Sequence, residues 1–182
     1  MTNLRNSQNH YGSVAKFLHW LIFLLVVCML IAGFLLDGIQ DKVTKSEIVN
    51  YHKLIGVSIL TLMLLRLLWA LVNPKPELPL GTPRWQHFAE RGMHGLLYLV
   101  LIIMPLSGWI MSVAAGHLPH FFSYHLSLPF VPENKALSNT MFETHHAIAI
   151  LIIVLVSIHI LAALYHHFIK KDNVLKRMMP GG

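Results

Sequence analysis

The sequence predicts an all-α integral membrane protein, a four-helix bundle, and three observations carry that prediction. Of its 182 residues, 55% are hydrophobic and only 12% charged, against the roughly 25% charged of an average soluble domain. Mean hydropathy is +0.58. The apolar residues gather into four stretches of about 20 residues, each long enough to cross a hydrocarbon core of about 30 Å as a helix. In lipid each backbone N–H and C=O must be satisfied within its own segment, so the stretches read as helices. A soluble protein with a large water-facing core is excluded. The whole chain, residues 1–182, reads as a single membrane domain.

The first span runs from about Phe17 to Leu36. Arg5 and Lys16 precede it, as in a signal peptide, but the run exceeds an h-region of about 7–15 residues and no A-x-A-like site follows, so it reads as a mature helix. The second span covers about Leu54 to Val72. The segment Asn73–Gly81 holds three prolines and cannot continue it. Thr82 and Pro83 give an N-cap and first-turn signal for a third helix, whose span covers about Gly95 to Val113. Pro105 and Gly108 predict a kink within it. Gly116–Thr144 is the longest polar stretch and reads as an irregular cap. The fourth span runs from about Ala147 to Ile169.

An even number of spans places both termini and the loop between helices two and three on one side. Ten of the 14 basic residues lie there, and Lys42, Lys45, Lys53 and Lys135 on the other. The positive-inside rule makes that side cytoplasmic and the cap external. The basic excess of +6 therefore reflects topology, and nucleic-acid binding is not its reading. Cys28 is the single cysteine, so there is no intramolecular disulfide, and no C-x-x-C-H attaches a c-type haem.

Function is sought in the 13 histidines, which outnumber the eight acids. A coordinating side chain inside a span is costly and by default marks a site. His19 lies about one turn inside helix one. His52 stands at the external start of helix two, His145 or His146 at that of helix four, and His159 deeper in. From His145 to His159 is 14 steps of 100°, about 40° short of four turns, so both project from one face about 21 Å apart. His52 is level with His145, and His19 with His159. Two bis-histidine pairs stacked across the membrane are what six-coordinate b-type haems need. A zinc or nickel transporter is the distant alternative that imidazole allows. Against it, no acid falls within the four apolar stretches, and two ligands per site are fewer than zinc usually takes.

These residues bring a family into view. FLHWLIFLL (17–25), YHKLIGVSILTLMLLRLLW (51–69), HGLLYLVLIIMPLSG (94–108) and SIHILAALYHHFIKKDNVLKRMMP (157–180) resemble the bacterial cytochrome b561 family of small four-helix, di-haem membrane proteins. The last segment is the most specific, because its H-x6-HH-F-x2-KD-x3-KRM pattern continues through the tail. The resemblance implies His19, His52, His145 and His159 as axial ligands of haem iron, paired His19/His159 and His52/His145. The cofactors it implies are two non-covalent haems b. His146 departs from the family pattern and falls 100° from the ligand face. His166 returns to the face of His159 within about 20° and could replace it as ligand, but its position near the cytoplasmic end better suits a propionate or quinone contact; His94 is likewise a candidate for a contact behind a ligand or to a quinone. His117, His120 and His125 read as solvated loop histidines. No separate catalytic residue is identified.

The expected function is single-electron transfer across a bacterial inner membrane between an external donor, superoxide among the candidates, and a membrane quinone such as ubiquinone. Lipid and quinone are the expected partners, with no nucleic acid. The resemblance supplies the enzymatic reading, superoxide:quinone oxidoreductase-like. The alternative is an electron-transfer subunit that docks on a partner oxidoreductase such as a hydrogenase.

Overall fold

A computed structural model describes residues 4–79 and 81–181. Four long helices make the molecule: α1 Ser13–Leu35, α2 Lys42–Leu71, α3 Arg84–Ala114 and α4 Lys135–Tyr165. All four are long and apolar enough to cross a membrane. α4 ends in a π-helical turn, His166–Lys170. A two-residue strand β1 (His120–Phe121) pairs antiparallel with β2 (Tyr124–His125).

The helices outrun the apolar stretches because polar caps start them early. Asp41 accepts a 2.7 Å bond from the Thr44 amide and begins α2 well before Leu54. Asn134 does the same for α4 through the Leu137 amide at 3.0 Å, satisfying donors that a helix start leaves unpaired. Two expectations are corrected here. The irregular cap ends at Asn134, since residues 135–144 are helical, and it contains a hairpin. Pro83, and not Thr82, is the N-cap of α3; the Thr82 hydroxyl donates instead to the Pro79 carbonyl at 2.6 Å. α3 continues through Pro105.

The core is a narrow seam. Leu18, Ile22 and Val26 recur every four residues on one face of α1 and meet Ile59 and Met63 of α2, Val100 of α3, and Ile152 and Leu155 of α4, the helical periodicity expected of a buried stripe. Large apolar side chains elsewhere face outward, Leu71 at 73% and Phe17 at 64% exposure among them. For a four-span helical protein, that surface is matched by lipid.

Backbone contact is close between α1 and α2, α2 and α3, and α3 and α4. Among the described residues, α4 stands off from α1 and from α2. Both ends of the bundle are tied by hydrogen bonds. At the terminal end, Asn6 donates to the Pro74 carbonyl at 3.0 Å, Trp20 Nε1 to the Met178 carbonyl at 2.9 Å, and Arg177 to the Glu77 carbonyl. At the cap end, Lys53 donates to the His117 carbonyl at 2.8 Å.

Candidate haem sites

Four of the histidines on the long helices fall into two pairs. His19 of α1 and His159 of α4 have ring centres 6.3 Å apart, and His52 of α2 and His145 of α4 also 6.3 Å. With a metal–imidazole bond of about 2.0 Å and a ring radius of about 1.1 Å, two imidazoles on opposite sides of one metal have ring centres about 6.2 Å apart. Each pair spans one of the two seams where α4 stands off from its neighbour. Ile152, 1% exposed, lies midway between His145 and His159 on α4 and belongs to the apolar core that separates the pairs.

Helix three lies against both pairs. Near the cap end, His145 Nδ1 donates to the Met104 carbonyl at 3.1 Å. The Ser107 hydroxyl lies 3.1 Å from the same nitrogen and donates to the same carbonyl at 2.8 Å. A proton held on Nδ1 leaves Nε2 with its lone pair free, the usual arrangement behind a metal-ligating histidine. Gly108 makes room: a Cβ there would stand 2.9 Å from His145 Cε1. Opposite, His52 Nδ1 is buried with no hydrogen-bond partner among the described residues. Buried polar atoms usually have a partner; Trp69 Nε1, Asn73 Oδ1 and His167 Nδ1 share this condition.

Near the terminal end, His94 of α3 stands 5.4 Å from His159, closer than a trans pair allows. Its Nδ1 donates to the Glu90 carbonyl at 2.8 Å and lies 2.9 Å from Glu90 Oε1. Glu90 also meets Lys75 Nζ at 2.5 Å. Arg66 of α2 places Nη1 2.9 Å from His19 Nδ1 and its guanidinium 5.8 Å from the Tyr98 ring centre. A guanidinium only donates, so in this contact His19 Nδ1 accepts and the ring proton lies on Nε2; to hold a metal through Nε2, the proton would have to move to Nδ1 and the Arg66 contact give way. Tyr11, just before α1, has its phenol pushed up to about 12, chiefly by burial and then by the Glu90 carboxylate. It is therefore a neutral hydroxyl near this group.

The remaining histidines separate from these pairs. His146 is exposed and donates to the Phe142 carbonyl at 3.0 Å. His166 points to Asp172, Nδ1 to Oδ2 at 2.5 Å, and this pair ties the π-helical turn to the tail. His120 and His125 lie on the hairpin strands, and His117 is exposed. Among the described residues, no group of three or more His, Cys, Asp or Glu converges as a metal site would require. Arg66, Ser107 and Glu90 escaped the sequence reading. Arg66 and Glu90 carry the signal that could have found them, a charge inside a membrane-length helix.

A helical multi-pass membrane protein with two stacked imidazole pairs has the form of a membrane cytochrome b. The comparisons agree with that class: the prokaryotic cytochrome b561 family model matches residues 10–181, and the chain belongs to that family. Family membership brings haem b and electron transport with it. The chain is similar to cytochrome b561 homolog 1 of Escherichia coli, 32% identical over 94% of this chain and 98% of the relative. Cytochrome b561 homolog 2 of the same organism is 30% identical over 96% and 93%. A Yersinia pestis protein named probable superoxide oxidase CybB is 32% identical over 93% and 96%.

Proposed function

We propose that this protein is a di-haem b cytochrome that passes single electrons across a bacterial inner membrane, from a donor on the cap side to a membrane quinone, with both termini cytoplasmic. The observation that carries the reading is repetition. One helix presents two histidines, each facing a partner at the same 6.3 Å spacing across a seam the backbones leave open. His19 with His159 and His52 with His145 would each hold one haem b. When bound, that group supplies reversible one-electron chemistry, which belongs to the cofactor. Two histidines holding each haem would suit it to electron transfer and would leave no place for oxygen at the metal.

The protein's own part is positioning and insulation. Met104 and Ser107 hold the His145 proton on Nδ1 and so aim Nε2. Ile152, Val26, Met63 and Leu155 exclude water between the pairs. His94, His166 and Arg66 supply polar groups at the terminal end, where a quinone headgroup would find hydrogen-bond partners in an otherwise apolar bundle. Lys53 follows His52 directly and places a cation near the cap-side pair, which favours an anionic donor such as superoxide. The name of the Yersinia relative supports that donor.

A pyridine haemochrome assay tests the cofactor: two haems b per chain are expected, and none ends the reading. Purified protein supplied with a superoxide source should then reduce ubiquinone above the haem-free background. Two haems without that activity would favour the second reading, an electron-transfer subunit for a partner oxidoreductase. The feature that supports it is a cap bearing Phe122 at 85% and Phe130 at 95% exposure, since exposed aromatic patches mark docking surfaces.

A further inference from the structure

We propose that the cap hairpin is a two-imidazole clamp for a divalent late-transition-metal ion, with His120 and His125 as its ligands. The site is separate from both intramembrane pairs. His120 and His125 are directly opposite each other in the β1–β2 register, so their side chains leave the same face of the hairpin. Both are exposed, and their ring centres lie 5.9 Å apart with planes at 45°. Two imidazoles on adjacent corners of one metal have ring centres about 4.4–5.1 Å apart at the same bond length. Closing the difference takes side-chain rotation of about 1 Å, which exposed rings make freely.

The backbone beneath the rings is held in place. The Asn50 side chain of α2 pairs with His120 as a strand would, accepting from its amide at 3.0 Å and donating to its carbonyl at 2.9 Å. The strand after His125 is fixed by the Leu126 amide to the Pro119 carbonyl at 2.8 Å and by Trp109 Nε1 of α3 to the Leu126 carbonyl at 3.0 Å. Pro119 is fully buried. One ligand strand is therefore anchored to α2 and the other to α3, so little ordering is left to lower the affinity. Imidazole selects copper(II), nickel(II) and zinc(II) over calcium and magnesium, with copper(II) the tightest. No third side-chain ligand converges among the described residues, so water completes the shell and the ion exchanges with the medium. Occupancy would tie α2 to α3 across the cap, above the helix that carries His52.

Nickel(II), which does not exchange electrons with haem, is the probe for calorimetry on the full-length protein without an added polyhistidine segment. One ion per chain is expected. His120→Asn and His125→Asn should each weaken binding at least tenfold, because either leaves a single ligand where two were held at high effective concentration. His10→Asn and His117→Asn should leave it unchanged. Hydrogen exchange at the Leu126 amide reports whether the hairpin survives in the variants. Copper(II) paramagnetic resonance on the wild type gives a check that needs no variant: coupling to two imidazole nitrogens is expected. No nickel binding, binding indifferent to both hairpin substitutions, or copper coupled to fewer than two nitrogens overturns the proposal.

Discussion

Gly108→Ala is the sharpest probe of the cap-side pair. The added Cβ would stand 2.9 Å from His145 Cε1 and 3.1 Å from its Nδ1, where ordinary contacts begin at 3.4 Å. The ring must retreat by about 0.5 Å, and its 3.1 Å bond to the Met104 carbonyl would then lie at or beyond the useful limit for such a bond. Overpacking of this kind costs about 1–3 kcal/mol, and the lost hydrogen bond about 0.5–1.5 kcal/mol. Against that, alanine in a helix interior contributes about 1 kcal/mol over glycine. The net, roughly 0.5–3.5 kcal/mol, is a cost to the stability of the bundle around His145, and the displaced ring would weaken the hold on the haem of that pair. Haem content per chain and the low-spin resonance of each centre report it. One signal should weaken or shift while the other stays. Gly56→Ala is the control, because a Cβ there meets nothing within 4 Å and only the helix gain applies. Two haems with unchanged resonances in Gly108→Ala would refute the placement of His145 against helix three.

Three further outcomes follow from the same geometry. His159→Ala should lose one haem while His166→Ala keeps both, since His166 is engaged by Asp172 at 2.5 Å; loss in the second variant alone would move the ligand by two turns. Arg66→Leu should lower the midpoint potential of one centre only, by on the order of tens of millivolts, because a nearby cation favours the reduced state; two unchanged potentials in a redox titration contradict its position beside His19. At the start of α2, hydrogen bonds from Thr44 hold the Asp41 carboxyl below the usual carboxylate range. A depressed folded pKa gives stability that is present above the unfolded value of about 3.9 and is lost as pH falls through the folded one. Protection of the Thr44 amide, its exchange rate relative to an unstructured amide at the same pH, should be high at neutral pH and fall in acid, and Asp41→Ala should lack it throughout; wild-type protection indifferent to acid would contradict the cap.

The outcomes for individual histidines show where sequence reasoning reaches. The phase of His145 with His159 is legible because both lie on one helix, whose 100° step is set by backbone geometry alone; the choice between His145 and His146, and between His159 and His166, needed the contacts that other segments make. The level of His52 and His19 followed from the direction in which each helix runs. What lay outside that logic were the residues that touch from another helix: Ser107, Gly108 and the Met104 carbonyl behind His145, and Arg66 beside His19. Their sequence separations from the histidines they meet are 38, 41 and 47 for Ser107, Met104 and Arg66. No local periodicity links positions so far apart.

The helix starts divide in the same way. Apolar runs mark where a chain can sit in lipid, so they located the four spans but not the polar turns that extend α2 back to Lys42 and α4 back to Lys135. Those turns depend on side chains bonding to amides three residues on, a contest among local polar partners that hydropathy does not record. By itself the sequence determined the class, four spans with imidazole as the main coordinating group within the apolar stretches, because burial in lipid leaves few choices of structure and residue. Only the tertiary structure decided that α4 stands off from α1 and α2 while α3 closes against it. That decision depends on side-chain volumes meeting across helices, and it opens the two seams the histidine pairs span.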